Sequence, residues 1–244
     1  WDWNLKTNEV YYSSIYFTML GYTPDAFDHT LDTWHDLLHP DDRDEAVNSV
    51  EKSIQNRESS FEIEFRMRRK DGTYAWVSGK GRAVQWDENG NTTRLTGTHE
   101  DISGRKRNQL TQQALFDISN AVNTTQNLDE LYEKIRECLG HVVDTRNCFL
   151  ALYNEESNTL SMPFHRDEVD SFAEFPAGKT LTGYVVKTGK AQLVDAEREQ
   201  ELTRLGEIEP VGSPCVSWLG VPLRKDDRII GVFVVQSYSE DEIY

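Results

Sequence analysis

The chain has 244 residues, room for one large domain or two ordinary ones, and its 37% hydrophobic share with ten Tyr, ten Phe and six Trp belongs to a folded protein, not a disordered one. A formal net charge of −16 disfavours nucleic-acid binding, whose phosphate backbone requires a basic face, and an anionic membrane surface. The longest apolar runs, such as 229–235, are interrupted and too short to span a bilayer. Cys138, Cys148 and Cys215 are widely spaced, with no CxxC pair, so they make neither a disulfide framework nor a zinc site. Their apolar surroundings predict buried thiols in a reducing, cytoplasmic compartment. The sequence opens without Met or a signal-like segment and reads as a piece of a larger protein.

In chain order, residues 1–13 carry aromatics around a turn at Lys6-Thr7-Asn8, a hairpin signal. Residues 14–22 and 31–40 predict short helices, the second stopped by Pro40. Residues 41–57 place Ala46, Val47, Val50 and Ile54 on one helical face. The segment 61–69 alternates, with Phe61, Ile63, Phe65 and Met67 on one side and charged residues on the other, a half-buried strand. Turns at Lys70-Asp71-Gly72 and 88–91 separate it from strands 74–86 and 92–100. This is an antiparallel sheet with helices on one face.

From Asp101 the period changes. Leu110, Ala114, Ile118 and Val122 recur at four-residue steps and predict a helix with one apolar stripe. Asn127 and Glu130 then resemble an N-cap and its partner, opening a helix over 128–143 with Leu128, Leu131, Ile135, Leu139 and Val142 inward. Strands follow at 148–153, 191–195, 216–224 and 228–238, with helices at 180–189 and 196–209. Ser239 onward reads as the start of a further, truncated helix. The fold class is therefore α+β, with two domains, each an antiparallel sheet with flanking helices, joined by a helix. Residues 1–107 carry a net charge of −5 and the remainder −11, and neither half has a basic stripe.

Asp71-Gly72, Trp76, Gly97, Asp101-Ile102-Ser103 and Arg105-Lys106, together with Leu38-His39-Pro40-Asp41-Asp42 and Trp1-Asp2-Trp3, resemble a PAS domain over 1–107. Leu181-Thr182-Gly183-Tyr184-Val185-Val186, Gly220-Val221-Pro222-Leu223 and Ile230-Gly231-Val232 resemble a GAF domain over about 112–244. The resemblance implies a PAS domain at 1–103, a signalling helix at 104–123 and a GAF domain at 124–244. It further implies a sensory region of a prokaryotic signalling protein whose output domain, a histidine kinase, cyclic-di-GMP enzyme or transcriptional regulator, lies outside this chain. Asp101, Ile102 and Ser103 would be the relay, Ser103 keeping the hydroxyl of the more usual Thr for N-capping.

Catalytic candidates fail on spacing. His35 and His39 stand at i, i+4, but Asp36 replaces the Glu of a zinc-protease helix and no third ligand follows. Residues 176–180 resemble the end of a phosphate loop without its first Gly. Arg146-Asn147-Cys148-Phe149 resembles a flavin-adduct motif in the wrong domain, and Cys215 lacks the His that bilin attachment would place after it. The 44–57 helix offers haem no axial His. No cofactor is required by the sequence, haem, flavin and bilin being unsupported, and no nucleophile–base set is present, so the fragment is not expected to be an enzyme.

What remains are cavities. Phe61, Ile63, Phe65 and Met67 face Phe17, Leu20, Phe27, Trp34 and Leu38, which either hold an apolar or aromatic ligand or simply fill the space. Phe149, Ala151, Phe172, Phe175 and Trp218 outline a second candidate. The stripe Leu110, Ala114, Ile118 and Val122 is either a parallel homodimer seam or a face packed on its own domain. Two functions stand open: a sensor of a small ligand or partner, and a ligand-free dimerising scaffold.

Overall fold

A computed structural model of the chain describes residues 1–24, 26–55, 60–169 and 173–239. It divides into two compact units, Trp1–Gln109 and Leu110–Tyr244.

The first unit opens with the hairpin β1 (Asp2–Asn4) and β2 (Glu9–Tyr11). Asn8 adopts a left-handed φ of 60° in the turn, a conformation Asn tolerates better than most residues. The short helices α1 (Ser14–Thr18) and α2 (Leu31–Leu37) follow, then the longer α3 (Pro40–Gln55). Helix α1 stops well before residue 22. Pro40 is the first residue of α3 instead of the stop of α2, because its missing N–H and fixed φ suit a first helical turn. Strands β3 (Ser60–Arg68), β4 (Tyr74–Trp86) and β5 (Thr92–Asp101) complete an antiparallel sheet ordered β2-β1-β5-β4-β3. Its core joins Phe17, Leu20, Trp34, Leu38, Phe65 and Met67. Met67 and Leu38 also meet in an isolated bridge that ties the end of α2 to β3.

Helix α4 (Ser103–Thr124) leaves β5 almost without a break. The division between the two compact units falls inside this helix, between Gln109 and Leu110.

In the second unit, α5 (Leu128–Leu139) is capped by Asn127, whose Oδ1 accepts the Glu130 N–H at 2.8 Å. Strands β6 (Cys148–Asn154), β7 (Thr159–Arg166) and β8 (Glu174–Pro176), helix α6 (Leu181–Thr188), strand β9 (Gln192–Asp195), helix α7 (Ala196–Arg204) and strands β10 (Ser217–Lys225) and β11 (Arg228–Ser237) form the rest. The sheet order is β8-β7-β6-β11-β10-β9, antiparallel throughout.

Three expectations change here. Strands β7 and β8 were not legible, since Pro163 interrupts the first and the second has three residues. Pro163 is tolerated because the pairing of β6 with β7 shifts register between Leu150 and Leu152, where a ladder hydrogen bond is not needed. The inward face of α5 is led by Tyr132, packed on Phe164 at 5.8 Å, while Leu128 is exposed and Leu131, Ile135 and Leu139 are half-buried. Of the thiols only Cys148 is buried; Cys138 and Cys215 are half-buried, and none of the three forms a disulfide. The helix expected after Ser239 lies outside the described residues.

Candidate functional site

The junction between β5 and α4 is Asp101-Ile102-Ser103, held by Arg69, Trp76 and the Met19 carbonyl. Asp101 Oδ1 accepts the Ser103 N–H at 2.8 Å, closing the first turn of α4. Its Oδ2 accepts from Arg69 Nη2 at 2.7 Å, and the same guanidinium donates through Nη1 to the Met19 carbonyl at 2.9 Å. Ser103 does not cap its own helix. Its Oγ accepts the Trp76 N–H of β4 at 3.0 Å, a sideways tie to the sheet. Ile102, 4% exposed, donates its N–H to the Trp76 carbonyl at 2.8 Å. Burial pushes the Asp101 carboxyl up, but the bonds from Ser103 and Arg69 outweigh it and hold the pKa below the ordinary range. Asp101-Ile102-Ser103 is thus fastened to β4, to the end of α1 through Met19, and to the loop after β3.

A second tie acts on the same turn. Glu64 of β3 binds Arg105 at 2.7 Å and Lys106 at 2.5 Å, and the Lys106 and Arg105 ammonium and guanidinium hold its carboxyl below the usual range. Lys106 Nζ also lies 4.7 Å from the centre of the Trp76 ring, and Arg66 approaches the same ring at 5.5 Å. Arg66 in turn grips Asp42 of α3 through Nε, Nη2 and its backbone N–H. So Asp42 takes part in a polar chain running from α3 across the sheet to α4.

The sheet face of the first unit encloses a cavity of about 30 Å³ lined by Trp1, Trp3, Val10, Tyr12, Leu31, Trp34, Val50, Phe61, Phe65 and His99. That volume has room for roughly one water. Of the residues expected there, Trp34, Phe61 and Phe65 line it. Phe17, Leu20, Leu38 and Met67 are buried in the solid core, and Phe27 and Ile63 pack on that core from outside. The sequence reading missed Trp1, Trp3 and His99, although their aromatic character at alternating positions was a usable signal. Three glycines form the floor beneath the rings. A Cβ on Gly81 would sit 2.6 Å from Phe61 Cε1, and one on Gly97 would sit 2.4 Å from Trp1 Cζ2; the two glycines face each other across β4 and β5. Burial pushes the His99 imidazole down to about 3, so it is neutral at pH 7.

The second unit has a cavity of about 70 Å³ that includes Phe149, Phe175 and Trp218, as expected. Ala151 lies instead in the packed core, and Phe172 is outside the described residues. Polar side chains complete the lining: Asp167, Thr180, Thr182, Glu199, Ser213 and Gln236, with Cys215. Gln236 Nε2 donates to Asp167 at 2.5 Å, and Tyr238 donates to the same carboxylate at 3.0 Å. Asp167, Gln236 and Tyr238 come from a loop and the end of β11 with no local pattern, which is why sequence periodicity passed over them.

The other motifs have structural roles. His39 Nδ1 accepts the Asp41 N–H at 3.2 Å at the start of α3, and its ring packs on Tyr74 at 4.5 Å. Thr180 caps α6 by accepting the Gly183 N–H at 2.9 Å, so residues 176–180 are the entry to that helix. Among the described residues no group of three His, Cys, Asp or Glu is placed to hold a metal ion, and no helix is long and apolar enough to cross a membrane.

The helix stripe divides. Ala114 and Ala121 are buried and Ile118 is half-buried, while Leu110 and Val122 are exposed, as are Leu115 and Phe116. Ala114 is therefore already covered within one chain.

A family model described as PAS fold matches residues 9–99, and one described as GAF domain matches residues 125–244. The chain is a PAS domain followed by a GAF domain. Over 223 residues, 88% of this chain and 22% of the relative, the PAS–GAF region is 28% identical to the methyl sulfide methyltransferase-associated sensor of Methanosarcina acetivorans. It is 31% identical over 106 residues to hybrid signal transduction histidine kinase A of Dictyostelium discoideum, covering 41% of this chain and 5% of that protein. It is 29% identical over 135 residues to the probable diguanylate cyclase DgcE of Escherichia coli, covering 55% and 11%. The chain thus spans less than a quarter of the length of each of these relatives.

Proposed function

We propose that this PAS–GAF region is the sensory input module of a signalling protein, and that it acts by coupling occupancy of the PAS cavity to the first turns of α4. The kinase and cyclase names of its relatives support an output domain beyond this chain, with the region itself binding rather than catalysing. The observation that carries the coupling is the double role of β4. Its backbone at Trp76 holds Ile102 and Ser103, while Gly79 and Gly81 of the same strand underlie the Phe65 and Phe61 rings of the cavity wall. A guest that displaces those rings pushes on the strand that anchors the exit helix. Such a device shifts a population between two arrangements only if the guest favours one of them. The test is Asp101→Ala in the intact protein. Output should become insensitive to input while the fold persists; unaltered regulation would refute the coupling.

A ligand-free dimerising scaffold is the second reading. The small cavity volumes favour it, since side chains already fill most of both spaces. It requires that the as-purified chain carry no extra mass and that no small molecule raise its unfolding temperature.

A further inference from the structure

We infer that the PAS cavity receives a small neutral molecule carrying a hydrogen-bond acceptor, which the indole N–H groups of Trp34 and Trp1 hold. This rests on the reading of the cavity as the input site. Both residues line the cavity, and their indole nitrogens have no partner and almost no accessible surface, so a guest reaches them only as the rings move apart; Trp34 as a whole is only 6% exposed. Folded proteins rarely leave buried polar groups unmade, so each such group calls for an occupant. Indole is a donor only, so the missing partner is an acceptor. His99 Nδ1 is also sealed and unpartnered, and His99 lines the same cavity.

The lining sets the charge of the guest. Among the described residues no Lys, Arg, Asp or Glu lines this cavity, and burial keeps His99 uncharged. A carboxylate would enter without a side-chain counter-charge, the Trp1 α-ammonium being already bonded to the Gly97 carbonyl at 3.0 Å, and burying it in an apolar site is costly. A pure hydrocarbon would leave both indoles unsatisfied. A neutral carbonyl, ether or ring-nitrogen compound answers both conditions. Aromatic walls favour a flat one: Trp1 and Phe61 are stacked at 6.2 Å, and Phe65 meets Trp34 edge-on at 6.0 Å. Space must be made, because about 30 Å³ is less than a ring occupies. The glycine floor closes the inward direction, whereas Trp1, Phe61 and Val50 are only half-buried and can move outward.

The test compares three near-isosteric probes on the 244-residue chain by calorimetry and Trp fluorescence: acetophenone, ethylbenzene and benzoate. Acetophenone is expected to bind about tenfold more tightly than ethylbenzene, the size of one buried hydrogen bond, with benzoate not binding. Trp34→Phe keeps an apolar ring, removes the N–H and should cancel most of that preference for acetophenone over ethylbenzene. Equal affinity for acetophenone and ethylbenzene, or preference for benzoate, would overturn the ligand class and leave the cavity as an input site. Binding of none of the three would overturn both, leaving a cavity that holds water alone. The probe comparison on the wild-type chain needs no variant, so a misfolded Trp34→Phe protein would not protect the inference.

Discussion

Lys106 holds its ammonium 4.7 Å from the centre of the Trp76 ring while pairing with Glu64 at 2.5 Å. One lysine thus ties the first turn of α4 to both β3 and β4. With Asp101 and Ser103 it makes the exit helix an extension of the sheet, so that strain in the sheet has a route into the helix.

Removing this tie should loosen the helix start without unfolding the domain. Lys106→Ala is expected to cost about 0.5–1 kcal/mol, the scale of one partly exposed cation–π contact and ion pair. Amide hydrogen exchange at residues 104–109 should quicken while β4 and β5 stay protected. Equal loss of protection across the sheet would contradict a local role.

Asp101 and Arg69 form the stronger joint. Asp101→Ala leaves the Ser103 N–H and the Arg69 guanidinium short of an acceptor and should cost about 1–2 kcal/mol. Asp101→Asn keeps one acceptor oxygen and should cost less. Trp fluorescence during urea unfolding reports this well, because five of the six Trp lie in residues 1–109.

His99 predicts a pH dependence with a definite sign. It titrates near 6.5 when unfolded and near 3 in the fold, so between those values the unfolded chain binds more protons. PAS stability is therefore complete above about pH 6.5 and declines as pH falls, by about 1–2 kcal/mol from pH 7 to 5 for one proton. The depressed Asp101, Asp42 and Glu64 carboxyls add a further loss only below about pH 4. His99→Gln should flatten the decline between pH 7 and 5. An unchanged slope would show that another group sets it.

Gly81 tests the fit of rings to sheet. Gly81→Ala drives a methyl into Phe61 and Trp1, and overpacking of this kind costs about 1–3 kcal/mol. The Trp emission of the folded protein should shift, since Trp1 must move. Gly104→Ala, where an added Cβ meets nothing within 4 Å, is the matched control and should stabilise or leave α4 unchanged.

Helix α4 separates self-association from folding. Leu115 and Phe116 are 63% and 62% exposed, so Leu115→Glu with Phe116→Glu should lower any dimer content seen by sedimentation without lowering stability. Ala114→Glu buries a charge and should destabilise the chain directly. Dimer content unaffected by the double variant would remove this face as the seam.

Much of this architecture could be read from residue order. The alternation of Phe61, Ile63, Phe65 and Met67 gave β3, and the turn residues gave the ends of β4 within the same hairpin. Strand β7 was hidden because Pro163 and polar residues break the alternation, and only a register shift in its partner accommodates them. The cavity was half legible. Trp34, Phe61 and Phe65 followed from the apolar face, but Trp1 and His99 reach the same space through the pairing of β1 with β5, a relation ninety residues apart in the chain. Asp167 and Gln236 of the GAF cavity meet only in the fold. Ser103 shows the limit of motif transfer: its hydroxyl was expected to cap α4 and instead binds β4.

The central claim is that the PAS cavity and the exit helix are coupled. The most direct measurement is amide hydrogen exchange at residues 102–109 with and without saturating acetophenone. The account predicts that protection there changes together with that of β4. Binding that alters the cavity strands and leaves residues 102–109 untouched would contradict it.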